Sequence, residues 1–142
     1  MTLIDANLLL YAYNTSSEHH ERARDWLQGV FSGSEPAGLA WITILAFLRI
    51  ATNTRAFDLP LTPPEAVSIV SEWLSRPVVT LVEPGPRHWE ILSSLLPKAQ
   101  ARGPLVMDAH LAALALEHGL VLCSNDRDFA LFPGLRVTNP LA

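Results

Sequence analysis

Apolar residues in this chain fall into two patterns. Short uninterrupted apolar runs alternate with longer segments whose apolar positions recur every three or four residues, and the two patterns predict strands and helices. Leu3-Ile4 reads as a short buried strand, and the apolar run Leu8 to Tyr13 starts a helix after it. Glu18 to Phe31 reads as a helix, because Ala23, Trp26, Leu27 and Val30 keep the helical spacing. Ser32-Gly33-Ser34-Glu35-Pro36 breaks it. Leu39-Ala40 is a second strand, and Ile44 to Ala51 an apolar helix running into Thr52-Asn53-Thr54.

Thr62-Pro63-Pro64-Glu65 marks a helix start, with Thr62 as cap, Pro63 in the first helical position and Glu65 closing a capping box. Ala66, Ile69, Val70, Trp73 and Leu74 form its apolar face, and Pro77 stops it. Val78 to Val82 is a strand. His88 to Ala101 is helical, with Pro97 kinking or ending its regular part. Asp108 is read as the cap of a helix from Ala109 to His118, with Gly119 as its C-terminal stop. Leu120 to Ser124 is a buried strand and Leu135 to Thr138 a short last one.

Strands that are apolar throughout and alternate with helices predict a parallel sheet covered on both faces. No repeat, low-complexity tract or linker interrupts the 142 residues, so one domain spanning 1–142 is expected. In such sheets ligands bind beyond the carboxyl ends of the strands. Asp5 and Asp126 both lie at that edge.

Composition sharpens this picture in four ways. Hydrophobic residues make up 49% of the chain and its mean hydropathy is +0.23, so some apolar surface is expected to meet a partner. Charged residues interrupt every apolar run before membrane-spanning length, and the N-terminus lacks the pattern of a signal peptide; a cytoplasmic protein with no membrane association is expected. The single cysteine, Cys123, lies in an apolar strand and reads as a buried, inert thiol. A net charge of −4 argues against a passive electrostatic nucleic-acid binder, and direct DNA binding by this chain alone is not expected. It leaves room for a metal-dependent nuclease, because bound cations neutralise an acidic pocket.

Four of the six aspartates sit in three short segments: Asp5 after the first strand, Asp108 at a helix start, and Asp126 and Asp128 after the late strand. Any one of them can be explained as a helix cap. Capping does not require that all converge on one sheet edge, where their mutual repulsion is destabilising unless a cation offsets it. The set points to a divalent-cation site and to phosphodiester chemistry. His110, one turn inside the Asp108 helix, reads as an ordinary helix residue.

Asp5-Ala6-Asn7-Leu8-Leu9-Leu10-Tyr11-Ala12, then Phe47-Leu48-Arg49-Ile50-Ala51-Thr52-Asn53, then Asp108-Ala109-His110-Leu111-Ala112-Ala113-Leu114-Ala115, then Gly119 through Phe129 resemble the PIN domain. The likeness is greatest to the VapC ribonuclease toxins of toxin–antitoxin pairs and covers nearly the whole chain. It implies an α/β fold, a three-layer αβα sandwich with a central, mainly parallel sheet. It also implies Mg2+ or Mn2+ as cofactor, cleavage of RNA inside the strand by a Mg-activated water, a VapB-type antitoxin as partner, and a homodimer. Carried over residue by residue, Asp5, Asp108 and Asp126 match metal ligands, and Asp128 a neighbouring acid that varies in role and can orient the attacking water. Ser124 and Asn7 match residues that orient the site or touch substrate.

One position departs from the pattern. Many PIN domains carry a glutamate in the helix before the Leu-Arg pair, where this chain has Ala46, and no acid occurs from Pro36 to Arg55. A site with one ion, and the alternative of a weak or inactive PIN domain that binds RNA or protein without cutting, both follow from that gap. Receiver domains also gather acids at strand ends, but they want a lysine after a late strand, and the sole lysine, Lys98, lies in a predicted helix. Haloacid-dehalogenase-type phosphatases want an aspartate where Asn7 stands. Arg22, Arg24, Arg49 and Arg127 are candidates for phosphate contacts, and the four tryptophans for stacking on bases, core or interface.

Overall fold

The computed structural model describes residues 1–142. Its elements follow in the order β1 (Thr2–Ile4), α1 (Ala6–Tyr13), α2 (His20–Ser32), β2 (Ala37–Leu39), α3 (Trp41–Ala51), α4 (Pro63–Ser75), β3 (Val79–Leu81), α5 (His88–Lys98), α6 (Leu105–His118), β4 (Val121–Cys123), a 3-10 turn (Arg127–Leu131) and β5 (Val137–Thr138). The strands form one sheet in the order β3-β2-β1-β4-β5, and every pairing is parallel. Opposite each other at the top of the two central strands stand Ile4 and Cys123.

Side-chain alternation along the strands explains why both faces are covered. Ile4, Leu39 and Cys123 point into a core shared with Leu8, Phe47 and Trp73 from α1, α3 and α4. Leu3 and Leu122, one residue over, point into a second core built on Ala109, Ala112 and Ala113 of α6, with Leu95 of α5 and Phe129. Small residues on α6 let that helix lie close against the sheet. Together these make the expected αβα sandwich. Trp73 is wholly core, stacked near Phe47 and Tyr13, whereas Trp41 and Trp89 are exposed.

Local chemistry sets several helix ends where the sequence puts them. The capping box between Thr62 and Glu65 is present in both directions. Gly119 closes α6 with φ 66°, the left-handed conformation that glycine adopts without a Cβ clash. Pro97 sits in the last turn of α5, which ends one residue later, short of the expected Ala101. The start of α6 differs from expectation. Pro104, with φ −58° and ψ −27°, already has helical dihedrals, so the helix begins at Leu105 and Asp108 lies in its first turn rather than at its cap. Likewise α3 starts at Trp41, three residues before the predicted Ile44. No helix is long and apolar enough to cross a membrane.

Candidate metal centre

Parallel pairing of β1 with β4 brings Asp5 and the Ser124–Asp128 segment to the same edge of the sheet. Asp5 caps α1. One carboxylate oxygen accepts from the Ala6 N–H at 2.8 Å, and the other accepts from the Ser124 hydroxyl, also at 2.8 Å. The same hydroxyl oxygen accepts from the Asp126 N–H at 2.9 Å, and the Asp126 carboxylate accepts from the Asp128 N–H at 2.9 Å. Ser124 is buried to 1% exposure, so this chain of bonds fixes the acids relative to the sheet rather than to solvent. The backbone also contributes, with the Asp5 N–H donating to the Cys123 carbonyl at 3.0 Å.

Asp108 enters from the other side, on the first turn of α6. Asp108, Asp126 and Asp128 each offer an oxygen, and the three oxygens lie within 4.8 Å of one another. Asp5 lies in the same cleft of about 400 Å³ but outside that group. Both its oxygens already accept protein hydrogen bonds, although each retains a lone pair for a cation. Asn7 lines the cleft from α1. Ala46 and Arg49 line it from α3, so the position at which many PIN domains carry a glutamate does face the acids here, without a carboxylate.

Electrostatics express the crowding. The Asp108 carboxyl is pushed up to about 6, first by burial and then by the charges of Asp126, Asp5 and Asp128. Asp5 is also raised: burial outweighs the Ser124 and Ala6 hydrogen bonds that pull it down, and Asp126 adds repulsion. Four carboxylates held this close favour either a bound proton or a bound cation. The donor set is all oxygen, as hard divalent ions such as Mg2+ require, and these residues therefore fit such an ion.

The fold thus unites Asp5, Asn7, Asp108, Asp126 and Asp128 in one cleft, with Ser124 beneath them. It keeps His110 away from them, paired with His88 across α5 at 3.0 Å between ring nitrogens. Sequence reasoning missed Tyr11, whose hydroxyl donates to the Asn125 side-chain carbonyl at 3.3 Å and whose pKa is raised by burial and by the Asp5 charge. Nothing local signals that pair, because its members are 114 positions apart.

Known proteins resemble this chain in sequence and in fold. The PIN domain family model matches residues 2–135. Ribonuclease VapC37 of Mycobacterium tuberculosis is 46% identical over 100% of this chain and 99% of its own length. Ribonuclease VapC33 of the same species is 42% identical, with 99% of each chain covered. Among solved structures, VapBC2 from Rickettsia felis bound to a promoter DNA fragment superposes with a TM-score of 0.72 at 15% identity, covering 97% of both chains. The sarcin-ricin loop cleaving toxin VapC20 of Mycobacterium tuberculosis gives 0.68 at 16% identity, over 96% of this chain and 99% of that one. At such identities the structures speak for the fold, and the sequence relatives carry the family assignment: this chain belongs to the PIN-domain family and, within it, to the VapC ribonucleases.

Proposed function

We propose that this chain is a metal-dependent endoribonuclease that acts as the toxin of a toxin–antitoxin pair. The observation that carries the reading is the convergence of Asp5, Asp108, Asp126 and Asp128 in one cleft, where burial and then the neighbouring charges push Asp108 up to about 6. Ribonuclease names on full-length relatives support the RNA substrate. Asp5, Asp108 and Asp126 would hold the ion, Mg2+ or Mn2+, with Asp128, whose oxygen lies within 4.8 Å of those of Asp108 and Asp126, beside them. When bound, the ion supplies positive charge to the scissile phosphate and lowers the pKa of a coordinated water.

The chain's own residues supply position and orientation. Ser124 fixes Asp5 and the Asp126 backbone in one frame. Asp128, exposed beside the other acids, would accept a hydrogen bond from the attacking water. Asn7 lines the cleft, where its side-chain amide would meet substrate oxygens. A VapB-type antitoxin is the expected partner. Arginine is the side chain best suited to occupy such a carboxylate cluster, through paired charge-assisted hydrogen bonds.

Cleavage of single-stranded RNA by purified protein, with Mg2+ or Mn2+ and then with excess chelator, tests the reading. Asp5→Asn and Asp108→Asn should each lower the rate at least about a hundredfold, as expected for loss of groups that act on the transition state, while circular dichroism stays unchanged. Full activity in either variant would sink the assignment. A second reading, a PIN domain that binds RNA or protein without cutting, is favoured by Ala46. It predicts wild-type protein that binds RNA but leaves it intact at every metal concentration.

A further inference from the structure

An acidic cleft in a protein of net charge −4 must still hold a polyanion, and the ten basic residues are not equally free to help. Arg24 pairs with Asp25, Arg76 with Glu72 and Arg87 with Glu90. Arg22 donates to the Leu141 carbonyl and Arg136 to the Gly119 carbonyl. Of the arginines left without a side-chain partner, Arg49 and Arg127 occupy special places. Arg49 is exposed on α3 and lines the acid cleft on the wall facing the aspartates. Arg127 is exposed between Asp126 and Asp128, in an adjoining groove of about 200 Å³ that also carries Asn125 and Asn139.

Asp126 lines both depressions, so the cleft and the groove adjoin at that residue and mark out a path across the acids. From this we infer that a single RNA strand crosses the site along that path, with Arg49 and Arg127 each binding a backbone phosphate on opposite sides of the acidic cluster. The inference rests on the proposed RNA substrate and adds the strand's course. A protein binding a polyanion should leave guanidinium groups unpaired in its free state where phosphates will lie, because breaking an ion pair would offset the new contact. Two further features fit. The side-chain carbonyls of Asn125 and Asn139 are taken, by the Tyr11 hydroxyl and the Leu141 N–H, which leaves their NH2 groups as donors toward the groove. Acceptor-rich base edges or ribose oxygens are what such donors meet.

Binding can be read separately from cutting. Full-length Asp108→Asn protein, with cleavage suppressed, is titrated against a fluorescently labelled single-stranded RNA in Mn2+ at rising KCl. Adding Arg49→Ala or Arg127→Ala should raise Kd about tenfold each, the loss of one charge-assisted phosphate contact. Each should also reduce the slope of log Kd against log salt by about 0.7, the value for one phosphate on a single strand. The double variant should lose about twice that slope. Arg49→Lys should restore the slope, which a packing role for Arg49 would not predict. Arg136→Ala, at the opposite end of β4, should leave both Kd and slope unchanged. Wild-type Kd and slope in both alanine variants would overturn the inference, as would failure of the Asp108→Asn protein to bind RNA. Cleavage by the wild-type chain is scored in parallel. Its absence alongside the predicted slopes would remove the nuclease reading and keep the path.

Discussion

At the residue scale, Ser124 and Asp108 play opposite parts. Ser124 donates to one carboxylate and accepts from the backbone of the next, so both of its hydrogen-bonding functions serve the site. Asp108 has no comparable support, and burial, with the neighbouring carboxylates adding to it, raises its pKa to about 6 from an ordinary value of 3.8. The sign of its effect on stability follows by linkage. A carboxyl raised in the folded state favours its protonated form there, so its contribution is most favourable below 3.8 and is lost as pH rises through about 6. Metal-free protein should therefore lose melting temperature between pH 4 and pH 7 from this group. Asp108→Asn should flatten that part of the profile and melt higher at pH 7, by about 3 °C, since half-exposure lets solvent screen the repulsion. Scanning calorimetry with chelator present checks this. An unchanged melting profile would mean that Asp108 is neither buried nor repelled by its neighbours enough to shift, and the case for a cation site would weaken with it.

At the scale of elements, α3 sets the number of charges around the site. It presents Ala46 and Arg49 to the cleft and no acid. Calorimetry with Mn2+ and no RNA should therefore show one weak site or none. Ala46→Glu should tighten binding by about tenfold, as one further charged ligand enters reach. Two tight sites in the unsubstituted chain would contradict this. The same elements show what a sequence can convey. Thr62, Gly119 and Asp5 were legible because capping is chemistry within a few residues. The edge location of the acids was legible because parallel topology follows from apolar strands alternating with helices. The start of α6 was not, because Asp108 has the chemistry of a cap while Pro104 has the geometry of a start, and geometry prevailed. Nor could spacing show that Asp108, Asp126 and Asp128 offer the tightest group of oxygens. That depends on how the turn after β4 folds under its Asp126-to-Asp128 hydrogen bond.

At the scale of the whole molecule, apolar surface and acidic cleft lie side by side. Trp41 and Leu45 on α3 are 47% and 60% exposed, and Met107 at the start of α6 is 55% exposed. Ile42, Ala46 and Met107 from these elements also line the cleft. A protein that leaves large side chains in water along one edge has a reason to bury them against another chain. The simplest arrangement is a two-fold pair in which the same edge meets itself. We expect a homodimer, and Leu45→Arg, which places a charge in that surface, should convert it to monomer in light scattering. A wild-type chain monomeric at all accessible concentrations would refute the dimer. An antitoxin segment reaching the cleft would run beside the edge that the dimer buries and place an arginine among Asp5, Asp108 and Asp126. That arginine would compete with Mg2+ for the same oxygens. Changing it to alanine should restore RNA cleavage in the complex even where the two chains remain bound, as measured by co-elution together with an activity assay. Undiminished inhibition by the alanine variant would show that the antitoxin silences the site from outside the acids.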